Sequence, residues 1–264
     1  MKKNSVIGFW GAGKMAEGIL SALPTVTNVM MAEKNPTRAD ELRKRYGVSV
    51  TDSLTEVAQT ATIIFLAVRP RDVDAVAAEV KGCLTPKVTI VSIVAGKTID
   101  KLRKAFGRSA QLIRVMPNLA LRAKAGMCAI CPARNVPKCD VQQVESILGA
   151  AGATVILKEK AFDAVTALSG SGPAYFAYME AAMAEGGVKL GLTPKVARLL
   201  AEQTMYGTAK FLRESGADLQ AFINGVCTKG GTTAAGMTKL ANPMFKKIVA
   251  ATLAAAAKRS QELA

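Results

Sequence analysis

Ser5-Val-Ile-Gly-Phe-Trp-Gly-Ala-Gly-Lys-Met-Ala16 decides the architecture. Its first half is a continuous apolar run of strand character. It breaks at Gly11-Ala12-Gly13, and Lys14 and Met15 open an amphipathic helical pattern that reaches about Leu23. In a strand–turn–helix of this kind the first glycine permits the tight turn. The second lets a pyrophosphate approach the backbone, and a small third residue, here Ala16, lets the helix pack close to the strand. The helix start presents bare N–H groups and a positive dipole end to the phosphates. A dinucleotide is the ligand this geometry suits, and Gly11, Ala12, Gly13, Lys14 and Met15 are its expected contacts.

Working outward, the second strand, Asn28–Ala32, ends at Glu33, where an acidic side chain ordinarily accepts the ribose hydroxyls of NAD. Lys34, Asn35 and Arg38 follow at once and suit a 2′-phosphate instead. The two readings stand side by side. Helical patterns at Pro36–Tyr46 and up to Thr60 and Val80 then alternate with strands at Val48–Val50, Thr62–Val68 and Val88–Val94. After a helix near Lys101–Phe106 comes Gln111–Val115. Strands at Gly126–Cys131 and Thr154–Leu157 flank a helix near Pro137–Ala150 and are expected to form the sheet's far edge. Apolar strands alternating with helices imply a doubly wound, mostly parallel α/β sheet of Rossmann type with right-handed crossovers. Ligands of such sheets sit beyond the carboxyl ends of the strands. That places Ala67-Val68-Arg69-Pro70, Ala95-Gly96 and Met116-Pro117-Asn118 around the cofactor's reactive ring. Asn118 also reads as an ordinary turn residue after Pro117.

From Lys160 strand signals vanish. Helices are expected at Ala161–Ala167, Pro173–Leu190, Pro194–Glu214, Leu219–Val226, Thr233–Leu240 and Pro243–Leu263, giving a dinucleotide-binding domain over 1–159 and an all-helical domain over 160–264. Prolines at helix starts and Gly191 and Gly216 just past helix ends fit this division. The pattern over Pro173–Leu190 is apolar or small on nearly every face, and a helix apolar all round must be buried. Burial against a second copy of the chain is the expectation. Between two of these helices, Gly230-Gly231 precede Thr232-Thr233 at a helix start. Backbone N–H groups, a dipole end and hydroxyls then gather in one place, which suits a small carboxylate. The alternative is a plain helix–turn–helix with a threonine N-cap.

Composition excludes several classes. The chain has 264 residues and no histidine, so Ser–His and Cys–His nucleophilic catalysis and histidine-ligated metals are ruled out. Cys128 and Cys131 have metal-like spacing but lie on a predicted strand, facing opposite sides, and no metal site is expected. Most of the net charge of +15 lies in the first 160 residues, spread without a dense basic run, and aromatics make up only 5% of the chain, so nucleic acid is not the expected partner. Attraction to a phosphate-bearing cofactor or an anionic small-molecule substrate is the simpler account. No apolar run approaches a membrane span. Met1-Lys-Lys-Asn4 leads into a strand rather than a signal core, and the odd cysteine count fits a reducing compartment, so a cytoplasmic location is expected.

Two blocks carry a resemblance. Val226-Cys-Thr-Lys-Gly-Gly-Thr-Thr-Ala-Ala-Gly236 and Ala167-Leu-Ser-Gly-Ser-Gly-Pro-Ala-Tyr175 resemble the signatures of the pyrroline-5-carboxylate reductases, and they fall in that family's order and spacing behind the glycine loop. The departures are Cys227 and Thr228, Lys229 for a usual proline, Arg69 for a usual lysine, and Leu119-Ala120 for a usual Thr-Pro. The resemblance implies reduction of L-1-pyrroline-5-carboxylate to L-proline by hydride from NAD(P)H. It implies the substrate carboxylate at Gly230, Gly231 and Thr232, with the Thr233 hydroxyl donating to the ring nitrogen as the catalytic contact and Asn118 nearby. The family accepts both cofactors and often prefers NADPH, so the reading leans to NADP, with NAD as the other cofactor. It further implies a homodimer or a larger assembly of dimers. Two rivals remain. A related dehydrogenase would carry a lysine on the long helix, and Pro173–Val188 has none. A non-catalytic dinucleotide binder would keep the fold and lose the chemistry.

Overall fold

The computed structural model describes residues 5–85 and 87–263; Met1-Lys-Lys-Asn4, on which the reading of the N-terminus rests, lies outside them. Eight strands form one sheet: β1 (Ile7–Trp10), β2 (Val29–Ala32), β3 (Ser49–Thr51), β4 (Ile63–Leu66), β5 (Thr89–Ser92), β6 (Gln111–Pro117), β7 (Gly126–Pro132) and β8 (Gly152–Ile156). Their order is β3-β2-β1-β4-β5-β6-β7-β8, parallel throughout except between β6 and β7. The first six strands thus have the doubly wound order with its switch point between β1 and β4, and β7 and β8 extend that edge. Trp10, Leu66, Ser92 and Arg114 are partners in register on β1, β4, β5 and β6. β1, β4 and β5 therefore end at one level, along one edge of the sheet, while β6 runs three residues further, to Pro117.

Helices α1 (Lys14–Ala22), α2 (Pro36–Tyr46), α3 (Leu54–Thr60), α4 (Val73–Val80), α5 (Ile99–Phe106) and α6 (Lys138–Gly149) connect the strands. Their starts follow local chemistry. Asn35, Ser53 and Thr98 each accept the N–H three residues on, capping α2, α3 and α5. The central strands are buried on both faces, as parallel strands covered by helices must be. One core contains Phe9, Ile19, Phe65 and Ile113, and the other Trp10, Ile64, Leu66 and Leu102. The rings of Phe9 and Phe65 stack at 5.0 Å and those of Trp10 and Phe106 at 5.8 Å, while the Trp10 indole N–H reaches Leu54 O at 3.0 Å.

The exit from the sheet is less regular than the expected helix over Ala161–Ala167. A 3-10 turn at Glu159–Ala161 leads to a one-turn α7 (Phe162–Val165) and a π-helical turn at Thr166–Gly170. Then come α8 (Gly172–Lys189), α9 (Pro194–Ser215), α10 (Leu219–Val226), α11 (Thr232–Leu240) and α12 (Pro243–Leu263). The chain divides into two compact units, one of residues 5–171 with 256–263, the other of residues 172–255. The end of α12 belongs to the first: Ser260 donates to Asp163 Oδ1 at 2.7 Å. In the second unit α8 and α9 pack as a pair, and the Phe211 and Phe222 rings meet at 5.4 Å.

Candidate functional site

The glycine turn between β1 and α1 is built as its sequence requires. Gly11 has φ +94°, and a Cβ there would stand 2.8 Å from Ala67 O, so neither the conformation nor the space admits a side chain. Gly13 takes the N-cap position of α1 with no side-chain cap, and a Cβ on it would meet nothing within 4 Å. That open space above uncapped N–H groups is a cradle that a side chain would fill and that a pyrophosphate fits. Ala12 and Ala16 are buried beneath it.

A cavity of about 480 Å³ lies along this edge of the sheet, lined by Gly11, Ala12, Gly13, Glu33, Lys34, Ala67, Val68 and Arg69 among others. Eight expected cofactor contacts thus come together. Lys14, Met15, Asn35, Arg38, Pro70, Ala95, Gly96, Met116, Pro117 and Asn118 do not line it. Asp72, Ala75, Val76 and Glu79 do, and the sequence reading missed them. The signal was available: positions 72, 75, 76 and 79 follow the i, i+3, i+4, i+7 stripe of one helix face.

The side chains after β2 are arranged in detail. Glu33 Oε1 accepts Asn35 N–H at 2.9 Å, and Asn35 Oδ1 accepts Arg38 N–H at 3.1 Å to cap α2. Arg38 turns toward α1. Its Nη2 lies 2.6 Å from Glu17 Oε2, its Nη1 3.1 Å from Glu41 Oε2, and its Nε donates to Ala12 O at 3.3 Å. Glu17 is buried and also accepts from Arg45 Nη1 at 3.1 Å and from the Tyr46 hydroxyl at 2.9 Å. Burial alone pushes the Glu17 carboxyl up, but the hydrogen bonds from Arg38 and Tyr46 and the charges of Arg38 and Arg45 outweigh it and hold it below its ordinary value.

Asn118 sits between β6 and β7. Its N–H donates to Met127 O at 3.1 Å, its Oδ1 accepts Met127 N–H at 3.1 Å, and its Nδ2 donates to Ser169 Oγ at 3.4 Å. The turn role and contact with the Ser169 block are both realised. Gly96, at φ +72°, faces the end of α12, where a Cβ would stand 2.8 Å from Leu263 O.

In the second unit, Gly230 has φ +73° and Gly231 is the N-cap of α11. Gly231 N–H donates to Thr228 O at 2.9 Å, and the first bond into the helix is Ala235 N–H to Gly231 O at 3.1 Å. No threonine side chain caps this helix. Thr232 and Thr233 are exposed, with their N–H groups ahead of that first bond, and their hydroxyls make no hydrogen bond among the described residues. The threonine-cap alternative is not what forms. Lys229 is exposed beside the turn.

Residues 159–263 match the model of a family described as pyrroline-5-carboxylate reductase dimerisation, and residues 6–96 match one described as NADP oxidoreductase, coenzyme F420-dependent. The pyrroline-5-carboxylate reductase of a Synechocystis species is 36% identical over 262 residues, covering 97% of each chain. The chain belongs to the pyrroline-5-carboxylate reductase family. The Escherichia coli reductase is 32% identical with the same coverage. Among solved structures, the reductase of Coxiella burnetii superposes with a TM-score of 0.95 at 29% identity, covering 99% of each chain. That of Plasmodium falciparum, with NADP bound, gives 0.86 at 29% identity, covering 99% of this chain and 98% of that one.

Among the described residues no three His, Cys, Asp or Glu side chains are grouped to hold a metal ion. Cys128 is buried, and burial pushes its thiol up to about 11, a structural cysteine rather than a reactive one. No helix among those residues is long and apolar enough to cross a membrane.

Proposed function

We propose that the chain reduces L-1-pyrroline-5-carboxylate to L-proline, with either reduced nicotinamide dinucleotide as hydride donor. The observation that carries this reading is the uncapped start of α11, with Gly230 and Gly231 before it and the exposed hydroxyls of Thr232 and Thr233 on it, in a chain that matches these reductases over nearly its whole length. The N–H groups of Gly230 and Thr232, the latter at the positive end of α11, hold the substrate carboxylate, the Gly231 N–H being taken by Thr228 O. Thr233 hydrogen-bonds the ring nitrogen. When bound, the dinucleotide supplies a hydride to the imine carbon. That transfer leaves a lone pair on nitrogen, so a hydroxyl donor at Thr233 is worth more in the transition state than in the ground state. A protonated imine brings its own proton, and a chain without histidine needs positioning more than acid–base strength. Asn118 has one amide hydrogen left once Ser169 has taken the other.

Residues 1–159 bind the dinucleotide in this reading, and residues 160–264 bind substrate and form a cytoplasmic homodimer, alone or as a unit of a larger ring. The support for dimerisation is physical as well as familial. Phe176 is 67% exposed, Tyr178 79% and Leu190 88% in the single chain, and apolar faces of this size mark protein interfaces. Loss of reduced-nicotinamide absorbance with pyrroline-5-carboxylate, with proline identified as product, tests the reaction. Dinucleotide binding without turnover would leave the chain a binding protein.

A further inference from the structure

Five charged side chains line the cavity beyond β2: the acids Glu33, Asp72 and Glu79 and the bases Lys34 and Arg69. Each base already has an acid. Lys34 Nζ lies 3.5 Å from Glu79 Oε2, and Arg69 Nε 2.9 Å from Asp72 Oδ2. Glu33 is the lining carboxylate left with no cation among the described residues, and only the Asn35 N–H rests on it. The cation whose position in the sequence would neutralise it is Arg38, and all three guanidinium nitrogens of Arg38 are spent elsewhere, on Ala12 O, Glu41 and Glu17.

Glu17 is what makes that commitment firm. Its side chain is 8% exposed, on the first turns of α1, and it draws Arg38, Arg45 and Tyr46 together behind the glycine loop. A bond at 2.6 Å between a buried carboxylate and a guanidinium is costly to break: Arg45 and Tyr46 serve Glu17 Oε1, and Glu17 Oε2 would be left buried without its donor. The ion pairs at Lys34 and Arg69, by contrast, are exposed and weak.

We propose that Glu17 is a specificity-determining residue that acts by sequestering Arg38, and that the chain consequently prefers NADH. The inference rests on the dinucleotide-binding half of the proposed function. A ribose diol offers two hydroxyl donors to the unpaired Glu33, whereas a 2′-phosphate brings like charge against it. Lys34, Asn35 and Arg38 are the side chains that the 2′-phosphate reading needs, and the structure has them on Glu79, on the α2 cap and on Glu17. Arg38 becomes a positioning residue, holding the Ala12 carbonyl of the glycine loop.

The test is the dissociation constant of NADH and of NADPH, read from nicotinamide fluorescence on binding to the whole protein, without substrate. Failure of the reductase assignment therefore does not touch it. The native chain is expected to bind NADH about tenfold more tightly or better, the scale of one charge-assisted contact at the ribose. Arg38→Gln should leave the NADPH-to-NADH ratio unchanged, even if both affinities fall because the loop loosens. Glu17→Gln should move the ratio toward NADPH severalfold by freeing the guanidinium. A merely structural Glu17 would weaken both cofactors alike. Should Glu17→Gln fail to fold, Glu33→Gln carries the same comparison, with NADH weakened and NADPH strengthened. A selective loss of NADPH binding in Arg38→Gln, or tighter NADPH binding by the native chain, overturns the proposal.

Discussion

The roles proposed for Thr233 and Glu17 differ in kind, and a single substitution separates each from its surroundings. Thr233→Val keeps the shape of the first turn of α11 and removes only the donor. It is expected to lower kcat roughly tenfold or more, as loss of a transition-state hydrogen bond does, with dinucleotide binding unchanged. An unaltered kcat would remove Thr233 from the chemistry. For Glu17 the consequence is a pH dependence of stability. Its folded-state value is depressed below the ordinary 4.5, so its contribution is fully present above that value and is lost as pH falls through it toward the folded value. Acid unfolding of the native chain should therefore be steeper than that of Glu17→Gln, measured by circular dichroism between neutral and acid pH. Gly11 and Gly230 were legible because a positive φ restricts such positions locally, and Gly13 because the spacing puts it at the start of α1. The commitment of Arg38 was not, because its partner Glu17 lies 21 residues back and meets it only when α1 and α2 are both in place.

At the scale of elements, the ladder of strands and helices follows from apolar runs and caps, and most ends fall within a residue or two of expectation. The departure is the exit from the sheet. A continuous helix over Ala161–Ala167 satisfies the local pattern, yet the chain forms a 3-10 turn, one α turn and a π turn. Arg114 is part of the tertiary environment there. It is buried on β6, with Nη1 2.9 Å from Glu159 Oε1 and its guanidinium 4.7 Å from the Phe162 ring centroid, and Glu159 Oε1 also accepts Ile99 N–H at 2.8 Å. Removing one partner strands a buried charge. Glu159→Gln should cost about 3 kcal/mol in denaturant unfolding, the low end for a broken buried pair. Adding Arg114→Met should restore much of the loss, since it removes the stranded charge and fills a similar volume with an apolar side chain. If the double substitution is no more stable than the single one, the pair is not what holds this exit.

On the scale of the whole molecule, α8 buries only Gly172 in the single chain, against the expectation that a helix apolar all round must be covered. The proposed homodimer would cover this helix, and light scattering at micromolar concentration should then give twice the chain mass. A monomer under those conditions would leave the apolar face of the helical unit unexplained. Charged substitution of the exposed Phe176 or Tyr178 should weaken association while leaving dinucleotide binding in place. The sequence by itself determined the alternating sheet, the glycine turn of the first unit, the helical second half and the glycine turn at Gly230-Gly231 before a helix start, because each depends on period, backbone freedom or capping within a few residues. Only the tertiary structure decided that β7 runs antiparallel to β6, that the end of α12 returns to Asp163 and Gly96, and that Arg38 faces Glu17 instead of the cavity beyond β2. These depend on which distant groups become neighbours once the sheet has closed, and a buried charge takes the nearest partner the fold supplies.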